Sequence, residues 1–144
     1  MTKCIDTSVW IPYLLPETLQ PQARNLILPL LTSNVRLVAP AFAWAEVGSV
    51  LRKKVRLGVI TTAQAEGFYD DFCQMPIDYL DNDAIRAKTY AIAEKFSLAT
   101  LYDAAFLAIA EIESAEFWTA DQSLLNTLTS FPTWVKKLEE SIDN

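Results

Sequence analysis

Hydrophobic and polar positions along the chain fall into short segments whose period switches between that of a strand and that of a helix. Compact apolar runs between turn residues predict strands, and apolar positions three and four residues apart predict helices. Five strands are predicted, at residues 3–6, 35–38, 77–80, 117–119 and 134–138. The predicted helices cover residues 9–15, 40–57, 62–73, 83–96, 101–113 and 122–128, with a further helix starting at residue 21.

Proline, glycine and threonine set several predicted helix ends. Pro21 suits a first helical position, and Pro40 is predicted to open the longest helix, which ends on Gly58. Thr62 and Thr100 are the predicted N-caps of the helices that follow them. Strands therefore alternate with helices along the whole chain.

This alternation predicts an α/β fold, a three-layer α/β/α sandwich with a short, mostly parallel central sheet. The 144 residues contain no linker, repeat or low-complexity stretch. A chain of this length buries a substantial core without disulfide or metal staples. We therefore expect a single domain over residues 1–144.

The amino-acid composition excludes several kinds of active site. The chain contains no histidine, which excludes nucleophile systems and zinc sites that depend on it. Its three glycines lie in or after helical patterns, so no Gly-rich phosphate loop is present. Cys4 and Cys73 lack metal-ligand spacing and are interpreted as free thiols. With no signal-peptide pattern and no membrane-span pattern, we expect a cytoplasmic protein without a membrane role.

Four acidic residues follow the predicted strands in a way that brings them to one edge of the sheet. Asp6 ends the first strand, and Asp121 comes directly after the strand at 117–119. Glu46 lies early in the helix after the second strand, and Asp103 opens the helix that leads back into the fourth. Because the carboxyl ends of parallel strands meet at one edge, we expect the four acids to lie together there.

Each acid also has a purely structural interpretation. Asp6 suits a turn or cap, and Asp121 suits an N-cap. Glu46 has no basic neighbour at helical spacing and could be a solvated helix residue. Asp103 could complete a capping box with Thr100, although its neighbours one turn later are apolar. The functional interpretation therefore depends on the four acids acting jointly.

Clustered carboxylates repel one another, so such a group needs a cation or shifted pKa values. Two charges about 4 Å apart cost on the order of 4 kcal/mol at an effective dielectric near 20. Oxygen-only ligands suit Mg²⁺ or Mn²⁺, which can activate water and offset charge on a phosphate. The sequence therefore predicts a divalent-metal site able to hydrolyse phosphodiester bonds.

Four short segments around these acids resemble the signature segments of PIN domains, and most of all the VapC-type toxin ribonucleases of toxin-antitoxin pairs. In order and spacing the resemblance covers nearly the whole chain, at residues 5–9, 45–48, 102–106 and 119–121. It implies a metal-dependent endoribonuclease, single-stranded RNA as substrate, and a homodimer. It also implies a cognate antitoxin that binds near the site and inserts a basic residue among the acids.

The resemblance also assigns roles to individual residues. The acids that bind metal and catalyse would be Asp6, Glu46, Asp103 and Asp121. The hydroxyl groups of Thr7, Ser8 and Thr119 would orient ligands or water.

RNA contacts are less directly indicated. The basic cluster Arg52, Lys53, Lys54 and Arg56 follows Glu46 on the same helix and could meet phosphates, or could simply be a solvated helix end. The formal net charge of −6 argues against a dedicated nucleic-acid binder, so RNA rests on the resemblance. Several aromatic residues could stack on bases, although packing in a core or dimer is favoured for most: Trp10, Trp44, Phe68, Tyr69 and Tyr102.

Other functions remain open at this stage. A receiver domain would show adjacent acids after the first strand, and a haloacid-dehalogenase-type phosphatase would show an acid where Ser8 stands. A non-catalytic PIN-like binding module and a solitary RNA-processing nuclease both remain alternatives.

Overall fold

A single five-stranded parallel sheet forms the centre of the molecule. The computed structural model describes residues 1–128, 130 and 132–139. In the order β3-β2-β1-β4-β5, every neighbouring pair of described strands is parallel. The strands are β1 (Thr2–Ile5), β2 (Arg36–Pro40), β3 (Ile77–Leu80), β4 (Glu116–Thr119) and β5 (Val135–Lys137).

Helices cover both faces of this sheet. They are α1 (Thr7–Leu14), α2 (Gln20–Ile27), α3 (Ala43–Arg56), α4 (Thr62–Cys73), α5 (Asp83–Lys95), α6 (Tyr102–Ile112) and α7 (Gln122–Thr127), with a short 3₁₀ turn at Leu28–Thr32. One core joins Ile5 and Leu37 to the first four helices, and the other joins Cys4 and Phe117 to the last three. The predicted three-layer sandwich is therefore confirmed.

The central position of β1 follows from its residues. Cys4 and Ile5 are both buried but point into opposite cores, as successive residues of a strand do. Lys3 is in register with Leu37 of β2 on one side and with Glu116 of β4 on the other. The carboxyl end of β1 therefore lies between the carboxyl ends of β2 and β4.

Three predicted helix starts are wrong. The first helix begins at Thr7, directly after Asp6, and not at residue 9. Pro40 is the last residue of β2, in register with Leu80, and α3 begins three residues later. The pairing of β2 with β1 ends at Val38, so Pro40 lies beyond that ladder and is in register with β3 alone. The N-cap of α6 is Leu101, with no side-chain cap bond, so the capping box between Thr100 and Asp103 does not form.

Other predicted ends are closer. Residues 77–80 form β3 as predicted, and Gly58 follows α3 with a positive φ of 74°. The cap of α4 is Thr61, one residue before the predicted Thr62, and it forms a capping box with Gln64. The 3₁₀ turn after α2 was not predicted.

Both cysteines are free thiols, with Cys4 buried and Cys73 exposed. None of the described helices combines the length and apolar character needed to cross a bilayer. Residues 129, 131 and 140–144 of the predicted domain lie outside the described residues.

Candidate active site at the carboxyl edge of the sheet

Asp6 lies at the centre of this edge. It directly follows β1, serves as the N-cap of α1, and its backbone N–H donates to the Trp118 carbonyl of β4 at 3.1 Å. Only 5% of the residue is exposed. A carboxylate buried to this degree is stable only if hydrogen bonds or a positive charge compensate it.

Two hydroxyl groups compensate part of this burial. Asp6 Oδ1 accepts from the Ser8 N–H at 3.0 Å and the Ser8 hydroxyl at 2.5 Å, and Oδ2 accepts from the Thr119 hydroxyl at 2.6 Å. The same two hydroxyls accept from backbone N–H groups, Ser8 from Ala120 at 2.8 Å and Thr119 from Asp121 at 3.0 Å. Since each hydroxyl has one proton, both protons are directed at Asp6.

Glu46 lies in the first turn of α3 and is half-buried. Its Oε1 accepts a hydrogen bond from the hydroxyl of Thr7, a buried residue in the first turn of α1. Glu46 is therefore not simply a solvated helix residue, and that interpretation is wrong. Thr7 orients Glu46 much as Ser8 and Thr119 orient Asp6.

Asp103 and Asp121 occupy the beginnings of α6 and α7. Asp121 is the N-cap of α7, as the sequence predicts, and its Oδ1 accepts from the Leu124 N–H at 3.2 Å. Asp103 lies in the first turn of α6 and is half-buried. Within the described residues, its carboxylate accepts no hydrogen bond and none of the four acids forms a salt bridge.

The acids influence one another electrostatically. Burial raises the pKa of Asp6 to about 7, the Ser8 and Thr119 hydrogen bonds oppose this, and the charges of Asp103 and Asp121 add to it. Burial also raises the pKa of Glu46, and the charge of Asp103 adds to this increase. Burial raises the pKa of Asp103 in the same way, with a contribution from the charge of Asp121. The four acids therefore form one electrostatic cluster.

A divalent cation fits this cluster by chemistry, since the donors are oxygens and no described residue is a basic partner of the acids. The side-chain positions are less favourable. As they stand, no group of three or more acidic or cysteine side chains in the described part of the chain could hold a metal ion. The carboxylates of Asp6, Glu46 and Asp121 are engaged instead by the hydrogen bonds above.

The basic cluster on α3 divides between two sides of the helix. Lys54 pairs with Glu17 at 2.8 Å, whereas Arg52, Lys53 and Arg56 line a cavity of about 960 Å³ between α3 and α4. The described residues supply no salt-bridge partner for these three. Gly48 allows the close helix contact there, because a Cβ would lie 2.9 Å from the Tyr69 ring.

The aromatic candidates also divide. Trp10 is buried and packs edge-on against Phe72, and Phe68 and Tyr69 are partly buried against the same core. Trp44 and Tyr102 are exposed. Sequence reasoning overlooked Phe42, the N-cap of α3, whose ring meets that of Tyr102 at 5.2 Å between centroids. Its position one helical turn before Glu46 was the available signal.

Solved structures share this fold at low sequence identity. VapBC2 from Rickettsia felis, bound to a DNA fragment from its promoter, has a TM-score of 0.67 and 13% identity, covering 95% of this chain and 97% of that one. PAE2754 from Pyrobaculum aerophilum has a TM-score of 0.65 and 19% identity, covering 90% and 89%. A toxin-antitoxin complex from Klebsiella pneumoniae has a TM-score of 0.61 and 17% identity, covering 93% and 98%.

No curated protein sequence matches the chain. The family profile described as PIN domain, however, matches residues 3–127, a range that includes every candidate site residue. PIN domains are generally nucleases, and those nucleases generally use divalent metals. With the parallel sheet and the order of its elements, this match shows that the chain belongs to the PIN-domain family.

Proposed function

We propose that this chain is a divalent-metal-dependent endoribonuclease that hydrolyses phosphodiester bonds in RNA and is the toxin of a toxin-antitoxin pair. Its acidic site would consist of Asp6, Glu46, Asp103 and Asp121. Family membership supports nuclease chemistry in general. The choice of RNA, the metal dependence and the role of each residue belong to the proposal.

The burial of Asp6 is the main observation in support of this proposal. A carboxylate at the centre of the sheet edge, with a pKa raised to about 7 and two further acids acting on it, destabilises the fold. A destabilising charged group of this kind is typical of functional sites, where a bound ligand offsets the loss of stability. A divalent cation is the simplest such ligand for oxygen donors.

Mg²⁺ or Mn²⁺ would be held by carboxylate oxygens of the four acids, with Glu46 and Asp121 turning from their present hydrogen bonds. When bound, the ion would lower the pKa of a water molecule and offset the negative charge of the phosphate.

The chain's own hydroxyl groups would fix the acids. Ser8 and Thr119 direct their protons at Asp6, so its carboxylate cannot rotate without losing both bonds. Thr7 holds Glu46 in its present position, and that hydrogen bond would be exchanged for the ion on binding. The contacts to Asp6 hold this acid in position before substrate arrives, which lowers the cost of assembling the site.

The basic side chains that line the cavity between α3 and α4 would bind RNA phosphates beyond the acidic edge. Arg52, Lys53 and Arg56 have no salt bridge within the described residues. Trp44 and Ala45 also line this cavity and directly precede Glu46 in the chain. Lys54 was also a sequence candidate, but its pairing with Glu17 makes it the weakest of the four. The overall charge of −6 does not exclude this local basic surface.

A partner protein and self-association complete the proposal. The similar structure from Klebsiella pneumoniae is described as a toxin-antitoxin complex, and the one from Rickettsia felis as VapBC2, which supports a cognate antitoxin for this chain. A homodimer and a cytoplasmic location are proposed on the same grounds as in the sequence. A small neighbouring reading frame with a DNA-binding N-terminal region would favour a toxin over a solitary nuclease.

The test is cleavage of a mixed RNA pool by the purified chain with Mg²⁺, with Mn²⁺ and with a chelator, alongside Asp6→Asn and Asp103→Asn. We expect cleavage that needs the ion and falls at least about 100-fold in both variants, because even outer-shell changes cost about 10- to 100-fold at metal sites. Both variants should remain folded by circular dichroism.

Asp83→Asn is the matched control, because Asp83 also lies in the first turn of a helix but is exposed. Its cleavage should equal that of the native chain. Metal-dependent cleavage retained in both site variants would refute the assignment of the acids. A native chain that binds RNA but cuts none with either ion would favour the non-catalytic binding module.

A further inference from the structure

The rings of Phe42 and Tyr102 connect the two helices that carry Glu46 and Asp103. Phe42 is the N-cap of α3, and its carbonyl accepts the Glu46 N–H at 3.1 Å. Tyr102 is the first residue of α6 and directly precedes Asp103. The rings meet edge to face, with centroids 5.2 Å apart and planes at 85°. An aromatic pair therefore lies beside the acidic cluster.

Phe42 fixes the position of this pair. Its other contact is edge to face with Phe106 at 6.0 Å, and Phe106 in turn contacts Phe117 of β4 at 6.5 Å between centroids. Phe106 and Phe117 are fully buried. The Tyr102 ring is thus attached to the core through a series of packed rings, which restrains it before any ligand binds.

Tyr102 nevertheless remains largely uncovered, with 58% of the residue exposed. An edge-to-face contact uses only part of a ring, so aromatic surface is left for a further contact. The nearby acids repel phosphates but do not repel the π-face of a base. A flat, restrained aromatic surface beside carboxylates therefore favours an unpaired base over another phosphate contact.

We propose that Tyr102, supported by Phe42, is the stacking surface for one unpaired base of the RNA next to the acidic cluster, an inference that rests on the proposed function. A base inside a duplex has no free face, so this contact selects single-stranded substrate. Tyr102 acts as a specificity and positioning residue. It takes no part in the proton or bond changes assigned to the acids.

The experiment measures stacking apart from cleavage. Short single-stranded RNAs carrying the fluorescent base analogue aminopurine at successive positions are titrated into Asp6→Asn protein, and affinity and fluorescence are recorded. We expect quenching at one position, lost in Asp6→Asn/Tyr102→Ala and kept in Asp6→Asn/Tyr102→Trp. Affinity should fall about 5- to 150-fold in the alanine variant, the range of base–aromatic stacking. Duplex RNA of the same sequence should not quench.

Tyr90 provides the matched control. It is 59% exposed, nearly the same as Tyr102, but lies on α5, which carries none of the four acids. Tyr90→Ala should bind and quench like its parent, and Tyr102→Leu should melt like the native chain if Phe42 remains packed. A weakened affinity in Tyr90→Ala equal to that in Tyr102→Ala would overturn the proposal.

Three other results would also overturn it. They are unchanged quenching in the Tyr102→Ala protein, no RNA binding by the parent, and conversion of a dimer to a monomer by Tyr102→Ala, which would make Tyr102 a subunit contact. Failure of the nuclease proposal is recognised separately. Native protein with Mn²⁺ could bind an RNA and quench its aminopurine fluorescence without cutting it. That result would refute the nuclease proposal and leave the stacking proposal standing.

Discussion

The two edges of the central sheet differ in whether their charged side chains form salt bridges. Near the amino ends of the strands, Lys3 of β1 pairs with Glu116 of β4, and Arg36 of β2 pairs with Asp78 at 2.7 Å and Glu113 at 2.9 Å. At the carboxyl edge, four acids lie in one electrostatic cluster without a salt bridge among the described residues. The same sheet therefore has one edge with paired charges and one with unpaired charges.

The pKa values differ accordingly. The hydrogen bond from Lys3 lowers the pKa of Glu116, which favours its charged form. Burial raises the pKa of Asp6, which disfavours its charged form. The amino edge contributes modestly to stability, whereas the carboxyl edge reduces it. A protein retains such a cost where the side chains serve a function.

The largest expected effect is a pH dependence of stability caused by Asp6. Its pKa is about 7 in the folded state against an ordinary value of 3.8. The unfolded state therefore releases the proton first, so stability falls as the pH rises from about 4 to about 7 and this group causes no further loss above that. The upper limit is about 4 kcal/mol, from about three pKa units at roughly 1.36 kcal/mol each.

Urea denaturation in chelator-containing buffers over this range measures the effect. The decline should be much smaller in Asp6→Asn and unchanged in Asp83→Asn. An equal decline in native and Asp6→Asn protein would mean that Asp6 is not the origin of the pH dependence.

The second effect is stabilisation by a divalent ion. If the cluster binds Mn²⁺, an ion concentration about 100 times the Kd should stabilise the chain by about 2.7 kcal/mol. For a chain of this length that corresponds to a rise in Tm of about 5–10 °C. Thermal melting with and without Mn²⁺ checks it, and Asp103→Asn should lose most of the rise. An equal rise in that variant would place the ion elsewhere.

The third effect concerns the support of Asp6 by Thr119. Thr119→Val keeps the buried shape but removes the hydroxyl that donates to Asp6. The expected cost is about 1–3 kcal/mol at about pH 8, where the carboxylate is charged, and less at about pH 5. Denaturation at both pH values measures it. Thr89→Val is the control, because that buried hydroxyl bonds the Ile85 carbonyl and its loss should cost the same at both.

The smallest effect is expected at the amino edge. Glu116→Gln should cost less than about 1 kcal/mol, since the side chain is partly exposed. Because the pKa of Glu116 is lowered, its contribution is present above the ordinary value of 4.5 and is lost as the pH falls. Denaturation at low and high salt tests this. A loss as large as that in Thr119→Val would remove the contrast between the edges.

The sequence predicted the order of strands and helices well because each element has its own hydrophobic period. The strand at 77–80 and the position of Asp121 as a helix cap depend only on neighbouring residues, and both are confirmed. Pro40 and Thr100 were assigned to helix starts because their local chemistry suits those positions. In the structure, pairing with β3 extends β2 through Pro40, and α6 begins at Tyr102 without Thr100 as its cap.

The sequence by itself predicted that the four acids share an edge. Three of them come after parallel strands, and Asp103 opens the helix that leads back into one, so that result needs only the alternation of elements. The family resemblance named Thr7, Ser8 and Thr119 as supporting hydroxyls, but the sequence did not determine which acid each of them contacts. Thr119 reaches Asp6 because β4 lies beside β1, although 113 residues separate the two. Phe42 meets Tyr102 because α3 and α6 begin at the same edge. Only tertiary structure decided these contacts, because hydrophobic periodicity encodes which face a residue takes and not which distant residue it meets.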